Sequence, residues 1–276
     1  MRWLVTGAGG MLGRDLSAAL SAAGETFVAA TRADLDISSS SDVLAAVEGA
    51  DVVLNAAAWT DVDGAEADEE AATAVNGHAV AVLAAAAGKR LIHVSTDYVF
   101  DGTATSPYPE DAIPAPVNAY GRSKAAGERA VLAAGGTVVR TAWLYGEHGN
   151  NFVRTMLRLA RERDTVDVVD DQTGPPTWSY ALARQLVALG LSQADPGIYH
   201  GTAAGSTTWF GLARAVFATA GHDPGRVRPT TSDRFVRPAR RPSYSVLGHD
   251  RWAATGVAPL PGWRPMLEEA MPSLLR

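Results

Sequence analysis

Short apolar runs alternate with longer alanine-rich segments through the first half of the chain. The runs are nearly continuous in hydrophobic residues, which is the pattern of parallel strands buried on both faces. Strands are predicted at residues 2–8, 26–32, 51–57, 90–96 and 136–146. The segments between them are of helical length, and helices are predicted at 11–24, 39–50, 69–88 and 120–135. Repeated β-α-β units of this kind predict an α/β fold with a doubly wound parallel sheet.

The pattern changes after about residue 147. Helices are predicted at 151–163, 179–191, 209–221 and 262–276, and an Arg- and Pro-rich stretch lies between the last two. No low-complexity linker separates the halves. We therefore expect a first domain made mainly of residues 1–147. A smaller C-terminal lobe is expected to consist mainly of residues 148–276, with some segments returning to the first domain.

Composition narrows the classes of partner. The chain has 276 residues, a net charge of −6 and no cysteine. The acidic balance gives no electrostatic support for binding nucleic acid or an anionic membrane, and the lack of cysteine excludes disulfides and thiolate chemistry. The amino terminus has no apolar signal core, and no uninterrupted apolar run approaches about 20 residues. A cytoplasmic location is expected.

The glycine-rich segment VTGAGGMLG (5–13) lies where the first strand passes into the first helix. Gly7, Gly10 and Gly13 form GxxGxxG, a variant of the GxGxxG dinucleotide fingerprint. Glycine permits the tight turn and the close approach of a phosphate, and the helix amino terminus presents free N–H groups to that anion. The segment therefore predicts a Rossmann-type dinucleotide site. A plain tight turn is the alternative.

The end of the second strand bears on which nicotinamide cofactor fits. A site for NAD places Asp or Glu there to bind the ribose 2′-hydroxyl, whereas this chain has Thr31 and Arg32. A guanidinium can bind a 2′-phosphate in a bidentate manner, so Arg32 favours NADPH. Asp34 and Asp36 follow closely, so the use of NADH stays open. A plain surface position is the alternative for Arg32.

Polar side chains follow the fourth strand in VSTDYVF (94–100), at the sheet edge where open α/β proteins bind ligands. A hydroxyl of Ser95 or Thr96 could hydrogen-bond a carbonyl there. Tyr120 and Lys124 lie four residues apart on the next helix, so their side chains share one face. The hydroxyl would fix the carbonyl, the phenol would donate a proton, and the ammonium would lower the pKa of the phenol. This set suits carbonyl reduction.

Lysine usage supports this interpretation. The chain has 24 Lys and Arg residues, of which only Lys89 and Lys124 are lysine. A lysine at this spacing, in a chain that otherwise uses arginine, indicates a need for an amine. A solvated helix face is the alternative explanation of any single YxxxK spacing.

Five further segments occur in order along nearly the whole chain. They are NAAAWTDVDGAEAD (55–68), STDYVFDG (95–102), WLYGEHGNNF (143–152), DDQTGPPT (170–177) and RRPSYSVL (240–247). With the glycine loop and YxxxK, they resemble the dTDP-4-dehydrorhamnose reductase family of the extended short-chain dehydrogenase/reductase superfamily. The resemblance implies reduction of the C4 ketone of dTDP-6-deoxy-L-lyxo-4-hexulose to dTDP-L-rhamnose by NADPH or NADH. It also implies that the C-terminal lobe binds the dTDP-sugar.

The resemblance also implies roles for single residues. The hydroxyl, the proton donor and the lysine fall on Thr96, Tyr120 and Lys124, with Lys124 also holding the nicotinamide ribose. Besides Tyr120 and Lys124, the implied cofactor contacts are Gly10, Met11, Leu12, Asp36, Ile37, Ala56, Ala57 and Ala58. The implied substrate contacts are Asp97, Trp143, Asn151, Gln172 and Arg241, besides Thr96.

Some of these roles have alternatives. Trp143 ends an apolar strand and could belong to the core. The Arg-Arg-Pro turn around Arg241 could be plain surface, and Arg234 is the alternative cation for the nucleotide diphosphate. His148 and His200 are expected to be structural, because the six histidines show no metal-ligand spacing. No metal site is predicted.

Two other functions compete with the implied one. The first is a sister 4-ketoreductase that serves another dTDP-4-keto-6-deoxyhexose with the same mechanism. The second is a non-catalytic NADP-binding regulatory subunit. The complete set of Thr96, Tyr120 and Lys124 favours an enzyme over the second. A homodimer is a possible assembly.

Overall fold

The computed structural model describes residues 1–192 and 194–276. Its strands are β1 (Arg2–Thr6), β2 (Thr26–Ala30), β3 (Val52–Asn55), β4 (Leu91–Thr96), β5 (Thr137–Thr141), β6 (Leu144–Tyr145), β7 (Val166–Val169), β8 (Thr173–Gly174), β9 (Thr177–Trp178), β10 (Ile198–His200), β11 (Thr207–Thr208) and β12 (Val227–Thr230). Its α-helices are α1 (Met11–Ala22), α2 (Ser40–Val47), α3 (Val62–Ala67), α4 (Glu69–Thr73), α5 (Val80–Ala87), α6 (Ala119–Ala133), α7 (Phe152–Glu162), α8 (Ser179–Leu191), α9 (Trp209–Thr219) and α10 (Trp263–Leu274). A π-helical segment, Ala74–Ala79, joins α4 to α5.

Six parallel strands form the main sheet in the order β10-β5-β4-β3-β1-β2. The chain first extends the sheet from β1 to β2, and then crosses over to place β3 on the other side of β1. The carboxyl ends of β1 and β3 therefore flank a topological switch point, where ligands of such sheets bind. This order confirms the predicted fold class, a doubly wound sheet of the Rossmann type.

The register of the sheet places three polar residues in one row. Thr6 of β1 lies opposite Asn55 of β3, and Asn55 lies opposite His93 of β4. Residues in register on neighbouring strands point their side chains to the same face. The row therefore sets three polar groups side by side among apolar strands.

The predicted fifth strand, residues 136–146, is too long. β5 ends at Thr141, and β6 pairs with β9 outside the main sheet. Between them Trp143 has a φ of +48°, a backbone conformation that costs a residue other than glycine about 1–3 kcal/mol. The chain therefore leaves the sheet at Trp143 and enters the second half of the molecule.

The two edges of the sheet also differ from the prediction. β2 pairs only with β1, and most of its residues are exposed or half-buried, so this strand is not covered on both faces. The other edge is β10, which pairs with β5 and returns a segment of the second half to the sheet. Its three residues are too few for an apolar pattern to identify as a strand.

The second half packs α7, α9 and α10 around three pairs of short strands. Helix α8 packs mainly against α1 of the first half. A single hydrophobic core includes Trp3 from the first half and Trp178 and Phe217 from the second. Because one hydrophobic cluster contains residues of both halves, the halves are not packed as separate units. The predicted division of roles near residue 147 stays a prediction.

A buried ion pair joins α6 to β5. Arg140 donates from Nε and Nη2 to the two carboxylate oxygens of Glu128, at 2.9 and 2.8 Å, and neither side chain is exposed beyond 2 %. His200 of β10 lies 3.4 Å from Arg140. Burial, and then the Arg140 charge, lower the pKa of His200 to about 3. His200 is therefore a neutral packing residue at physiological pH.

The helical stretch Glu69–Arg90 is long and apolar enough to cross a membrane by length and composition alone. The sequence predicts an ordinary helix over residues 69–88 of this stretch, because its alanine-rich apolar runs are interrupted. Core helices of soluble proteins often have the same length and composition, and this stretch packs along α6, so these two properties do not by themselves indicate a membrane span.

Glu128→Gln is expected to lower the free energy of unfolding by about 3 kcal/mol, because it leaves the Arg140 charge buried without its partner. Equilibrium unfolding in guanidinium chloride measures the difference. The control is Glu69→Gln, which breaks an exposed pair with Arg122 and should cost less than about 1 kcal/mol. Equal losses in the two variants would contradict the prediction.

Candidate active site

The glycine loop packs directly on the backbone that follows β3. Gly7 has a φ of +72°, and a Cβ there would lie 2.5 Å from the backbone nitrogen of Ala57. A Cβ on Gly13 would lie 2.6 Å from the Cα of Ala8 and still closer to the carbonyl oxygen of Gly7. Glycine at both positions therefore lets this loop, called the cradle below, pack closely on the neighbouring backbone.

The cradle suits an anionic cofactor. Helix α1 begins at Met11 after Gly10, with no side chain capping its first N–H groups and no acidic residue in its first turn. Free N–H groups and the positive end of the helix dipole attract a phosphate. The structure also brings half-buried Ala56, Ala57 and Ala58 beside this loop. The residues present therefore fit a dinucleotide.

The segment after β2 leaves Arg32 exposed. Asp34 accepts hydrogen bonds from the backbone N–H and hydroxyl of Thr31, at 2.9 and 2.6 Å, and Asp36 accepts from the N–H and hydroxyl of Ser38. These bonds lower the pKa of both carboxyls. Both aspartates are thus engaged in local turns. The cofactor contacts predicted for Arg32, Asp36 and half-buried Ile37 stay predictions.

Thr96 ends β4 and Asp97 follows it, at the same edge of the sheet. The Thr96 hydroxyl donates to Asp97 Oδ1 at 3.0 Å, and Oδ2 has no partner among residues 1–192 and 194–276. Burial raises the pKa of Asp97 to about 6, more than the neighbouring hydroxyls lower it. Ser95 is also buried, and its hydroxyl has no partner in the described part of the chain. Spacing alone did not separate Ser95 from Thr96.

Tyr120 lies in the first turn of α6, which the Asn118 side chain caps by accepting from the N–H of Gly121 at 2.7 Å. Burial, and then the Asp97 carboxylate, raise the pKa of Tyr120 well above its usual value, and the nearby Thr96 hydroxyl only partly opposes them. The phenol therefore keeps its proton at neutral pH.

Lys124 lies one turn further along α6 and is 2 % exposed. Its Nζ donates to the carbonyl oxygen of Val94 at 2.7 Å and lies 3.2 Å from Nε2 of His93. Burial lowers the pKa of Lys124 to about 8. The expected lowering of the Tyr120 pKa by Lys124 is absent in the free chain, because Lys124 is directed towards β4 and burial dominates at Tyr120.

An aromatic stack stands where the chain leaves β5. Trp143 stacks on Trp209 with ring centroids 3.5 Å apart and planes within 5°, and the Phe152 ring lies 4.6 Å from that of Trp209. A Cβ on Gly174 would lie 2.7 Å from Trp143 Nε1, so glycine is needed behind the stack. Trp143 is half-buried, and its predicted sugar contact stays a prediction.

Asn151 and Gln172 use their amides within the protein. Asn151 caps α7 by accepting from the N–H of Arg154 at 3.1 Å, and it donates to the carbonyl oxygen of Gly146. Gln172 accepts from Trp209 Nε1 at 3.1 Å and donates to Ser232. Gln172 therefore orients the aromatic stack. Direct substrate contact by these two amides stays a prediction.

Arg241 forms an ion pair with Asp63, which lies in α3 after the third strand. Both guanidinium Nη atoms donate to the carboxylate, and these hydrogen bonds contribute most to lowering the pKa of Asp63. Arg241 also interacts with Tyr98, whose ring meets that of Tyr120 edge-on at 5.7 Å. A substrate phosphate at Arg241 would have to compete with Asp63, and that contact stays a prediction.

The sequence analysis missed a hydrogen-bonded row beneath the site. Thr6 donates to Asn55 Oδ1 at 2.6 Å, and Asn55 Nδ2 lies 2.8 Å from Nδ1 of His93. The other ring nitrogen of His93, Nε2, lies 3.2 Å from Lys124 Nζ. Asn76, in the π-helical segment, bonds both the N–H and the carbonyl oxygen of Trp59. Each of these residues is a single polar interruption of an apolar or alanine-rich run, which is the signal that could have found them.

No group of three metal-binding side chains occurs within residues 1–192 and 194–276. Polar side chains and the glycine cradle lie together at one edge of a Rossmann-type sheet. A cradle at the switch point with Thr96, Tyr120 and Lys124 beside it places the chain in the class of extended short-chain dehydrogenases/reductases. A solved dTDP-glucose 4,6-dehydratase from Streptomyces venezuelae, 17 % identical, shares the fold with a TM-score of 0.81.

Comparison with known proteins narrows the class. The family described as RmlD substrate binding domain matches residues 1–275. The chain therefore belongs to the dTDP-4-dehydrorhamnose reductase family.

Two curated relatives are similar over almost their whole length. A dTDP-4-keto-6-deoxy-D-glucose reductase from Streptomyces niveus is 53 % identical, over 99 % of this chain and 97 % of its own. A dTDP-4-dehydrorhamnose reductase from Streptomyces griseus is 50 % identical, over 99 % of this chain and 94 % of its own.

A solved structure is similar in fold as well. It is a dTDP-4-dehydrorhamnose reductase from Bacillus anthracis in complex with NADP, with a TM-score of 0.91 and 36 % identity over 98 % of each chain.

Gly13→Ala is expected to raise the Kd for NADPH at least ~10-fold, because a methyl group would displace the backbone of the cradle. Isothermal titration calorimetry measures the Kd. Gly9→Ala is the matched control, since a Cβ there would come no closer than 3.7 Å to Thr31. Equal Kd values for the two variants, with unchanged thermal stability, would contradict the predicted position of the cofactor.

Proposed function

We propose that the chain reduces the C4 ketone of a dTDP-4-keto-6-deoxyhexose with NADPH. The leading substrate is dTDP-6-deoxy-L-lyxo-4-hexulose, also called dTDP-4-dehydrorhamnose, and the product is dTDP-L-rhamnose. The observation that carries the proposal is the placement of Thr96, Tyr120 and Lys124 at the sheet edge that also holds the glycine cradle. The family of the chain supplies the substrate class.

Tyr120 is the proposed general acid. Reduction makes the ketone oxygen negative, and a protonated phenol within hydrogen-bond reach can donate its proton to that oxygen. The buried Tyr120 keeps this proton at neutral pH because its pKa is raised. NADPH, when bound, supplies the hydride to the C4 carbon.

Thr96 is proposed to fix the ketone oxygen. Its hydroxyl is near enough to Tyr120 to influence the pKa of the phenol, and it now donates to Asp97. A ketone oxygen that accepts from Thr96 and Tyr120 together would be held in one orientation. Asp97 Oδ2 forms no hydrogen bond of normal geometry among the described residues, although the Ser245 hydroxyl is near enough to lower the pKa of the carboxyl; a sugar hydroxyl could donate to this oxygen.

The second half of the chain, mainly residues 148–276, is proposed to bind the sugar nucleotide. It supplies Trp209 of the aromatic stack and Gln172, which accepts a hydrogen bond from Trp209. Its Arg- and Pro-rich stretch also contacts the N-terminal half, where Arg241 forms an ion pair with Asp63. Arg241 of this half also interacts with Tyr98, whose ring contacts that of Tyr120. We propose NADPH as the cofactor because a solved relative was crystallised with NADP and Arg32 is exposed after β2.

A second candidate differs only in the sugar. The relative from Streptomyces niveus, at 53 % identity, is named a dTDP-4-keto-6-deoxy-D-glucose reductase. The same set of acid, hydroxyl and lysine would serve either ketone, since the sugars differ in stereochemistry and not in the reacting group.

A substrate panel separates the two candidates. The purified chain is supplied with NADPH and either dTDP-6-deoxy-L-lyxo-4-hexulose or dTDP-4-keto-6-deoxy-D-glucose, and product NMR identifies the sugar formed. A higher kcat/KM on the lyxo-hexulose supports the leading substrate. Turnover of the glucose-derived ketone alone would replace it with the second candidate, and turnover of neither would overturn the function.

Tyr120→Phe is expected to lower kcat at least ~10²-fold, because it removes the proposed general acid. The Kd for NADPH should change little, since the ring stays in place. Tyr180→Phe is the control, because Tyr180 packs on Trp178 away from the proposed acid. Wild-type kcat in the Tyr120 variant would remove the assigned role.

Arg32→Glu is expected to weaken the binding of NADPH much more than the binding of NADH, because only NADPH carries the 2′-phosphate that an arginine can bind. The Kd values for both cofactors are compared with those of the wild type. Arg228→Glu, at another exposed arginine, controls for the change in net charge. An equal loss of affinity for both cofactors would count against the phosphate contact.

A further inference from the structure

A line of four buried polar side chains runs beneath the active site. It begins at Thr6 on β1, passes through Asn55 on β3 and His93 on β4, and ends at Lys124 on α6. None of the four is exposed beyond 2 %. Burying so many polar groups in a parallel sheet is costly unless each finds a hydrogen-bond partner. We therefore expect the imidazole of His93, in the middle of this line, to have a specific role.

The hydrogen bonds of Asn55 set the direction of the line. Asn55 Oδ1 accepts from the Thr6 hydroxyl at 2.6 Å and from the backbone N–H of Ala57 at 3.0 Å. The amide nitrogen of Asn55 is therefore the atom that faces His93, and it donates to Nδ1 at 2.8 Å. A ring Nδ1 that accepts carries no proton, so the neutral imidazole holds its proton on Nε2.

This tautomer has a consequence for Lys124. The Nε2–H of His93 points at Lys124 Nζ, 3.2 Å away, while Nζ donates to the carbonyl oxygen of Val94 at 2.7 Å. A neutral amine can accept from Nε2–H and still donate to Val94. An ammonium group has no lone pair to accept with, so it would face a second donor.

We propose that His93 is a positioning residue for the reduction: it holds Lys124 Nζ in place and favours its neutral amine in the free chain, while its other nitrogen anchors the cofactor cradle through Asn55. The proposal deepens the proposed function and rests on it for the catalytic role of Lys124. The link to the cradle is the bond from Ala57 to Asn55, since the backbone of Ala57 packs on Gly7.

The ionisable groups around this pair are few in the described part of the chain. Along α6 itself, Tyr120 precedes Lys124 by one turn and Glu128 follows it by one turn. Glu128 is already paired with Arg140 of β5, and the Asp97 carboxyl follows β4. β1 and β3 contribute Thr6 and Asn55, which do not ionise. Burial, and then the Lys124 charge, hold the pKa of His93 well below its usual value.

Nuclear magnetic resonance tests the tautomer without any assay of activity. In protein labelled with 15N-histidine, the ring signals of His93, assigned with His93→Gln, should show a neutral Nε2–H tautomer from about pH 6 to pH 8. An Nδ1–H tautomer, or an imidazolium that titrates in this range, would overturn the proposal.

The small number of lysines allows a second direct test. Protein labelled with 13C-lysine gives side-chain signals only for Lys89 and Lys124, and Lys124→Arg assigns them. In His93→Gln the Lys124 signal should titrate at a higher pH than in the wild type, because a glutamine carbonyl can accept from the ammonium form. An unchanged titration would overturn the influence of His93 on Lys124.

Kinetics tests the positioning role with two variants that each keep one half of the imidazole. His93→Asn places an amide near the position of Nδ1, so it can meet Asn55 but not Lys124. It should lower kcat ~10-fold or more, with the Kd for NADPH within about threefold of wild type. His93→Gln places its amide nearer to Lys124 than to Asn55. It should therefore retain more of kcat than His93→Asn does, while it raises the Kd for NADPH.

The pH profile adds a readout that a merely structural role would not move. If the ammonium form of Lys124 supports catalysis, kcat falls as pH rises through the pKa of Lys124. In His93→Gln this fall should occur at a higher pH. His200→Gln is the buried-histidine control, since His200 bonds the carbonyl oxygen of Gly248 and contacts Arg140 away from Lys124. It should leave the pH profile unchanged.

The outcomes separate the two proposals. Wild-type kcat and an unchanged profile in both His93 variants would reduce His93 to a core residue. If the wild type reduces no ketone in the panel, the proposed function fails, and the tautomer and the lysine titration still decide whether His93 controls Lys124.

Discussion

Hydrogen bonds between Thr6, Asn55, His93 and Lys124 tie three strands of the sheet to helix α6, which also carries Tyr120. The strand register sets the first three opposite one another, so the line forms wherever β1, β3 and β4 pair correctly. At one end Asn55 also holds the backbone of Ala57 under the glycine loop. At the other end Lys124 is held one turn from Tyr120. The backbone under the glycine loop and helix α6 thus share one buried support.

Close packing of the backbone also positions the glycine loop and the aromatic stack. Gly7 and Gly13 let the loop after β1 press on its neighbours, which leaves the amino terminus of α1 free to meet an anion. The left-handed backbone at Trp143 sends the chain out of the sheet and brings the indole onto Trp209. Strain of about 1–3 kcal/mol at such a position persists only where surrounding structure enforces it, and here Gly174 leaves the space. Both halves of the molecule therefore meet at the site.

Burial sets the charges of the site in the free chain. It raises the pKa of Tyr120 and of Asp97 and lowers that of Lys124, so each group is shifted towards its neutral form. A neutral phenol is what proton donation needs, whereas burial disfavours the ammonium form of Lys124 and the Glu128 charge only partly opposes it. The relation expected between Tyr120 and Lys124 from their spacing alone therefore depends on what binds between the two halves.

Periodicity and residue chemistry were sufficient for the fold class, for most helices and for the glycine loop, because these depend on local pattern: apolar runs for strands, glycine at the turn, and YxxxK on one helix face. Local pattern could not place β10, which is three residues long, or stop β5 at Thr141, since that end depends on Trp143 packing on Trp209. Nor could it assign His93, because one polar residue in an apolar strand has a meaning only when strand register sets Asn55 beside it. The sequence by itself determined which groups could do the chemistry. Tertiary structure decided which of these groups are buried, which are paired and which protonation state each favours, because burial, pairing and protonation depend on neighbours distant in the chain.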